Sequence, residues 1–147
     1  MSQGIEVVLT QEQDFRFAID FGAGLPVLHG DEAPPLGGGT GPTPLHLLAA
    51  AVGNCLSDSL FFALKKFKQD AQGINTRVSA SVGRNAEGRM RVTQMQLEVR
   101  LGAVAATIEN LERVLAQFES FCTVAQSVGQ GIPIEVSVFD SAGVKVK

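Results

Sequence analysis

The sequence predicts an α+β domain: mostly antiparallel sheets packed on a long central helix. Three observations carry this. Segments with a period of two occur near both ends of the chain, the signature of half-buried strands. A long, almost uncharged stretch from Pro44 to about Lys68 lies between them and is too long for a strand. The element order reads β-β-(β)-α-β-β-α-α-β, in which helices neither alternate strictly with strands nor fail to occur. With 147 residues, one domain spanning 1–147 is expected.

The elements follow in order. Ile5 to Thr10 reads as a strand, and Phe15 to Phe21 alternates as FRFAIDF with Phe15, Phe17, Ile19 and Phe21 on one face. Gln11 to Asp14 is a connection short enough for a hairpin. Leu25 to His29 supplies a third short strand. Gly30 to Pro42 then holds three prolines and five glycines, so it is a constrained loop. Thr43 suits an N-cap and Pro44 the first helical position, where no N–H is needed. The helix that follows spans roughly 39 Å at ~1.5 Å per residue and is apolar nearly all round. One subunit has little material to enclose it, which points to a second. Two strands come next, Asn75 to Arg84 and Arg89 to Leu101, joined by a turn at Asn85 to Gly88. On the second, Met95, Leu97, Val99 and Leu101 share a face, with a shift near Thr93. An amphipathic helix is expected from Ile108 to Ser120, capped by Thr107, with Ile108, Leu111, Val114, Leu115 and Phe118 as its stripe. A short helix starts at Phe121 to Val124 and ends by Gly129. Pro133 to Phe139 forms the last strand.

Composition narrows the chemistry. The charged fraction is 18% and the net charge −3, with a pI near 5.3. No basic patch is available to release counterions, so no nucleic-acid partner is expected. The MSQGIEVVLTQEQ start lacks the charged and apolar regions of a signal peptide. The long helix carries His46, Asn54, Ser57, Asp58 and Ser59, so a buried core helix is expected and no membrane span. The expected compartment is the cytoplasm. GGGTG lacks the lysine of a phosphate loop, and no G-x-S-x-G elbow occurs. Cys55, Cys122, His29 and His46 show no metal-ligand spacing, so neither metal nor cofactor is expected.

What remains is thiol chemistry. Cys55 and Cys122 are the chain's only cysteines. Cys122 falls in the first turn of a short helix, an electropositive place that lowers a thiol pKa. Cys55 is mid-helix and gains nothing from its own helix, while Asp58 one turn on opposes ionisation. A thiolate there needs an external cation, and Arg16 is the preferred one. His46 and Cys55, nine residues apart, fall on roughly opposite helix faces, which argues against a simple cysteine–histidine hydrolase. Composition and spacing leave two readings open, a redox pair or two inert core thiols.

The stretch GGGTGPTPLHLLAAAVGNC, followed by FCTVAQSVGQGIPIEVSV, resembles the OsmC/Ohr superfamily of osmotically inducible proteins and organic hydroperoxide reductases. The resemblance covers nearly the whole chain and implies an intertwined homodimer around the long helix. It implies a peroxidase that reduces organic hydroperoxides to alcohols, with Cys55 peroxidatic and Cys122 resolving. A dithiol reductant, often lipoyl-linked, then restores both thiols. Arg16 matches the arginine that activates the first cysteine. One departure stands out: hydroperoxide reductases of this kind place a glutamate just after the proline to orient that arginine, and Pro44 is followed by Leu45 and His46. His46 takes the place where the OsmC-like branch often carries a glutamate, and it joins the candidate catalytic set. Asp31 and Glu32 are the nearby carboxylates. The alternative is an OsmC-like dimer without peroxidase activity that binds a small apolar ligand near Cys55.

Overall fold

The structure, a computed structural model, describes residues 4–147; the first three residues of the N-terminal stretch read for a leader lie outside it. The architecture is α+β with two three-stranded sheets. The chain forms two compact units, one running up to Leu48 and one comprising Ala49–Lys147, so the boundary falls within the long helix α1 (Pro44–Lys66).

The first unit is an antiparallel meander of β1 (Val8–Gln13), β2 (Arg16–Asp20) and β3 (Leu28–Gly30). β1 starts three residues later than the sequence pattern suggests and runs through the expected connection. Pairing passes from Gln11↔Phe17 to Gln13↔Arg16, which leaves Glu12 as an extra, bulged residue. A bulge bends its strand and re-aims the side chain it carries. The turn shrinks to Asp14 and Phe15, with Asp14 in the left-handed region at φ 50°. On the phenylalanine face only Ile19 is fully buried; Phe15 and Phe21 stay exposed.

α1 begins where the sequence places it. The Thr43 hydroxyl accepts from the His46 N–H at 3.3 Å. His46 Nδ1 in turn accepts from the Thr43 N–H at 3.1 Å, a reciprocal capping box built with imidazole. α1 has the length and apolarity of a membrane span. In the second unit its buried stripe is Val52, Gly53, Leu56, Ser59, Leu60, Ala63 and Leu64.

α1 meets β4 (Ile74–Arg84), in a sheet completed by β5 (Met90–Leu101) and β6 (Ile134–Phe139). β4 and β5 are antiparallel and β5 and β6 parallel. Parallel neighbours need a crossover, and the helical segment between β5 and β6 supplies it. The register jumps from Ser81↔Gln94 to Val82↔Val92, so Thr93 is the bulge that the sequence shift marked. Met95, Leu97, Val99 and Leu101 are buried together as expected. Helix and sheet approach closely at Gly53, where an added Cβ would lie 2.6 Å from Val78 Cγ2. Beside it, Ser57 and Thr76 hydroxyls meet at 2.7 Å.

The expected helix from Ile108 to Ser120 is broken up. A 3-10 turn covers Ala105–Thr107, α2 covers Leu111–Gln117, and a second 3-10 turn covers Phe118–Phe121. Thr107 is no cap; its hydroxyl donates back to the Val104 carbonyl at 2.7 Å. Asn110 starts α2 from the left-handed region at φ 58°, a conformation asparagine tolerates. The stripe Ile108, Leu111, Val114, Leu115 and Phe118 is nevertheless buried. Burial selected those residues, and a kinked backbone delivers them as well as a straight helix.

Candidate functional site

Two local settings carry the chemistry, one in each unit. In the second unit, Cys55 sits half-buried on α1 and Cys122 is buried; both are free thiols. Cys122 is the N-cap of α3 (Thr123–Val128), and its Sγ accepts from the Ala125 N–H at 3.2 Å. The Cys122 thiol lies within interaction range of both Cys55 and the Ser59 hydroxyl. Ser59, one turn after Cys55, is buried and donates to the Cys55 carbonyl at 2.8 Å. The segment before Cys122 is fastened to α1 by aromatic contacts. Phe62 and Phe121 pack edge to face with centroids 5.7 Å apart, and Lys66 Nζ stands 5.0 Å from the Phe121 ring centre. The sequence singles out both cysteines, and in the structure the Cys122 thiol interacts with that of Cys55.

The electrostatics of Cys122 differ from expectation. A helix N-terminus was expected to depress the Cys122 pKa. Burial pushes it up to about 11 instead, and the neighbouring Cys55 sulfur adds to the rise. The Ala125 N–H and Ser59 pull the other way and are outweighed. Desolvation of a charged sulfur in the core exceeds what one amide dipole returns. At neutral pH Cys122 therefore holds its proton.

In the first unit, Arg16 is held at two points. Its Nε donates to Glu12 Oε1 at 3.1 Å, and its NH1 donates to Thr40 Oγ1 at 2.6 Å. The same Glu12 oxygen meets His29 Nδ1 at 2.7 Å. Thr40 is held by Asp31, whose Oδ2 accepts from the Thr40 hydroxyl at 2.7 Å and from its N–H at 3.1 Å. Asp31 is buried and also accepts from the Glu32 N–H at 2.8 Å. Hydrogen bonds from Thr40, Glu32 and Gly38 hold its carboxyl down at about 2. Arg16, Thr40 and Asp31 line a cleft of about 380 Å³ with Gln13, Asp14 and Gly38. Glu12, Thr40 and Ser59 were not singled out from the sequence. The bulge that aims Glu12 at Arg16 is a property of strand register, and only the GGGTG loop hinted that backbone folds closely around something. Of the two carboxylates considered near the loop, Asp31 acts on Arg16 through Thr40. His46 is engaged with Thr43 at the start of α1. Among the described residues, no three His, Cys, Asp or Glu side chains converge as metal ligands do.

Solved structures share this fold over nearly their whole length. An OsmC-like protein from Mycoplasma pneumoniae superposes with a TM-score of 0.78 at 14% identity, covering 95% of this chain and 99% of its own. An organic hydroperoxide resistance protein from Elizabethkingia anophelis gives 0.75 at 16% identity, with 96% and 100% covered. An organic hydroperoxide resistance protein, OsmC, from Legionella pneumophila gives 0.73 at 14% identity, with 93% and 98% covered. No curated protein matches. The family model for OsmC-like proteins matches residues 37–137, a span that starts in the glycine loop and takes in both cysteines and all but the end of β6: the chain belongs to the OsmC-like family.

Proposed function

We propose that this protein is a thiol-dependent peroxidase that reduces organic hydroperoxides through Cys55 and Cys122. The observation that carries this is the interaction of the chain's only two thiols, one half-buried and one fully buried. The Cys55 thiolate attacks the outer peroxide oxygen. The O–O bond breaks, the alkoxide takes a proton and leaves as alcohol, and Cys55 becomes a sulfenic acid. The Cys122 sulfur then attacks the Cys55 sulfur, and its proton departs with the hydroxide as water. The disulfide is returned to two thiols by a dithiol reductant, itself oxidised to a disulfide; a lipoyl-linked dithiol fits the family. Arg16 supplies the cation that Cys55 lacks on its own helix, and His46 contributes by capping α1. Two proteins of like fold carry organic hydroperoxide resistance in their names.

The working form is a homodimer in the cytoplasm, built as a single domain per subunit. Phe61 and Phe62 are 60% and 53% exposed on a helix that is otherwise apolar; a second subunit is the covering proposed for them. A sedimentation result of a single 15.5 kDa species would refute the dimer.

The deciding experiment is thiol counting before and after one equivalent of an organic hydroperoxide, with hydrogen peroxide as the control. Loss of both thiols to an intramolecular disulfide is expected. Cys55→Ser should abolish consumption of the peroxide, while Cys122→Ser should consume one equivalent to give the Cys55 sulfenic acid and form sulfinic acid only when a second equivalent is added. If both wild-type thiols stay free, the protein is not a peroxidase, and a non-enzymatic dimer binding a small apolar ligand becomes the better account.

A further inference from the structure

Arg16 is held from two sides by groups that the thiol chemistry does not use. We propose that Glu12 and the Asp31–Thr40 pair are the positioning residues of Arg16, doing in this chain what no carboxylate after Pro44 is present to do. The proposal rests on Arg16 serving Cys55.

The direction of each hydrogen bond is fixed by chemistry. Thr40 has a single hydroxyl proton, and it goes to Asp31 Oδ2 at 2.7 Å. Its lone pairs are thereby turned to Arg16 NH1 at 2.6 Å. A threonine free to rotate could offer its own proton instead, and a guanidinium has no acceptor to receive it. Asp31 therefore sets the polarity of Thr40, and Thr40 sets one end of Arg16. Glu12 holds the other end through Nε. Two anchors on different edges of a planar fork fix its plane, where one exposed ion pair would leave it to rotate.

The loop is built to keep Asp31 in place. A Cβ at Gly37 would lie 2.6 Å from Asp31 Oδ1 and also strike the Glu32 carbonyl. A Cβ at Gly38 would lie 3.2 Å from Asp31 Oδ2. The glycines of GGGTG thus let backbone close around a carboxylate of the chain itself, and the motif wraps Asp31 where a phosphate loop would wrap its ligand. Glu12 is delivered by a different device, the bulge in β1. Two independent local structures, a bulge and a glycine loop, converge on one guanidinium.

The test is steady-state kinetics with an organic hydroperoxide on Glu12→Ala, Glu12→Gln, Thr40→Val, Thr40→Ser and Arg16→Gln, alone and as Glu12→Ala/Arg16→Gln. Far-UV circular dichroism confirms folding of each. Misplacing a catalytic group by about 1 Å costs up to about 100-fold, so Glu12→Ala and Thr40→Val should lower kcat/KM by about 10- to 100-fold. Glu12→Gln and Thr40→Ser, which keep an acceptor oxygen, should recover most of that loss. The rate of Cys55 alkylation by neutral iodoacetamide should move to higher pH in the same order. The Glu12→Ala/Arg16→Gln double variant should be no slower than Arg16→Gln alone, because Glu12 acts through Arg16. If Glu12→Ala and Thr40→Val match wild type while Arg16→Gln is slow, or if the double variant is additive, the positioning roles are wrong and the peroxidase reading stands. If Arg16→Gln itself matches wild type, the role of Arg16 falls and this proposal with it. If wild type does not turn over, the peroxidase reading fails.

Discussion

His46 shows how one side chain can stand where another is expected and do part of its work. At the third position of α1 a glutamate would reach back to the Thr43 N–H. Imidazole Nδ1 does so at 3.1 Å, which requires that nitrogen to be unprotonated and the proton to sit on Nε2. Losing a cap of this kind costs about 1 kcal/mol, so Thr43→Ala should lower unfolding stability by about that much. His46→Ala should cost somewhat less, and His46→Glu should be neutral, because either terminal oxygen can replace Nδ1. Urea denaturation followed at the helix signal checks all three. If His46→Glu lost as much as His46→Ala, the ring would be held for some purpose other than the cap.

Among the elements, α1 and β4 meet at Gly53 in a close contact that the sequence conceals. Glycine inside a helix is worth roughly 1 kcal/mol less than alanine. Here a methyl group would meet Val78 Cγ2 at 2.6 Å, and a valine methyl on a strand has little room to turn aside. Overpacking of this kind costs about 1–3 kcal/mol. The clash should therefore win, and Gly53→Ala should destabilise the wild-type background. In a Val78→Ala background the clash is gone and the same change should stabilise, a reversal of sign that a double-mutant cycle in urea reads directly. Gly53 also marks what a sequence can and cannot tell. Patterns set by burial were legible: the buried face of β5, the bulge at Thr93, the start of α1 and the apolar stripe from Ile108 to Phe118 all follow from apolar spacing or cap chemistry. Where backbone answered to partners distant in sequence, the pattern misled. The stripe from Ile108 is carried by an extended residue, a short helix and a 3-10 turn, and β1 slid towards Gln13 because a bulge absorbed Glu12. The thiol pair was legible because only two cysteines exist. Their environment was not, since the burial that raises the Cys122 pKa comes from packing. Nor were the groups around Arg16, which meet it through register and loop closure.

At the scale of the whole molecule, the ionisable groups predict how stability depends on pH. Asp31 titrates at about 2 against an ordinary 3.8, through hydrogen bonds from Thr40, Glu32 and Gly38. Asp140 is lowered as well, chiefly by the Ala105 and Val144 N–H groups. A depressed carboxylate favours the folded state above its ordinary pKa, and that benefit is lost as pH falls through the folded value. Glu12 is lowered too, chiefly by its hydrogen bond with His29, so the acid limb should run from about pH 4 down to about pH 2 with Asp31 and Glu12 contributing in the first unit and Asp140 in the second. Cys122 has the opposite sign. Its thiol is raised from 9.0 to about 11, so its contribution is complete below pH 9 and disappears as pH rises towards 11. Two substitutions separate the limbs. Asp31→Asn places an amide N–H₂ or a weaker acceptor before donors, so it should destabilise at neutral pH and leave a shallower acid limb, with Asp140 and Glu12 still acting. Cys122→Ser keeps an N-cap oxygen for the Ala125 N–H and removes the titration, so the alkaline limb should flatten while the acid limb is unchanged. The chain has no Trp and no Tyr, so the measurement is the urea midpoint by far-UV circular dichroism between pH 2 and 11, with reductant present. An alkaline limb of full steepness in Cys122→Ser would place the titrating group elsewhere and remove burial of this thiol as the cause.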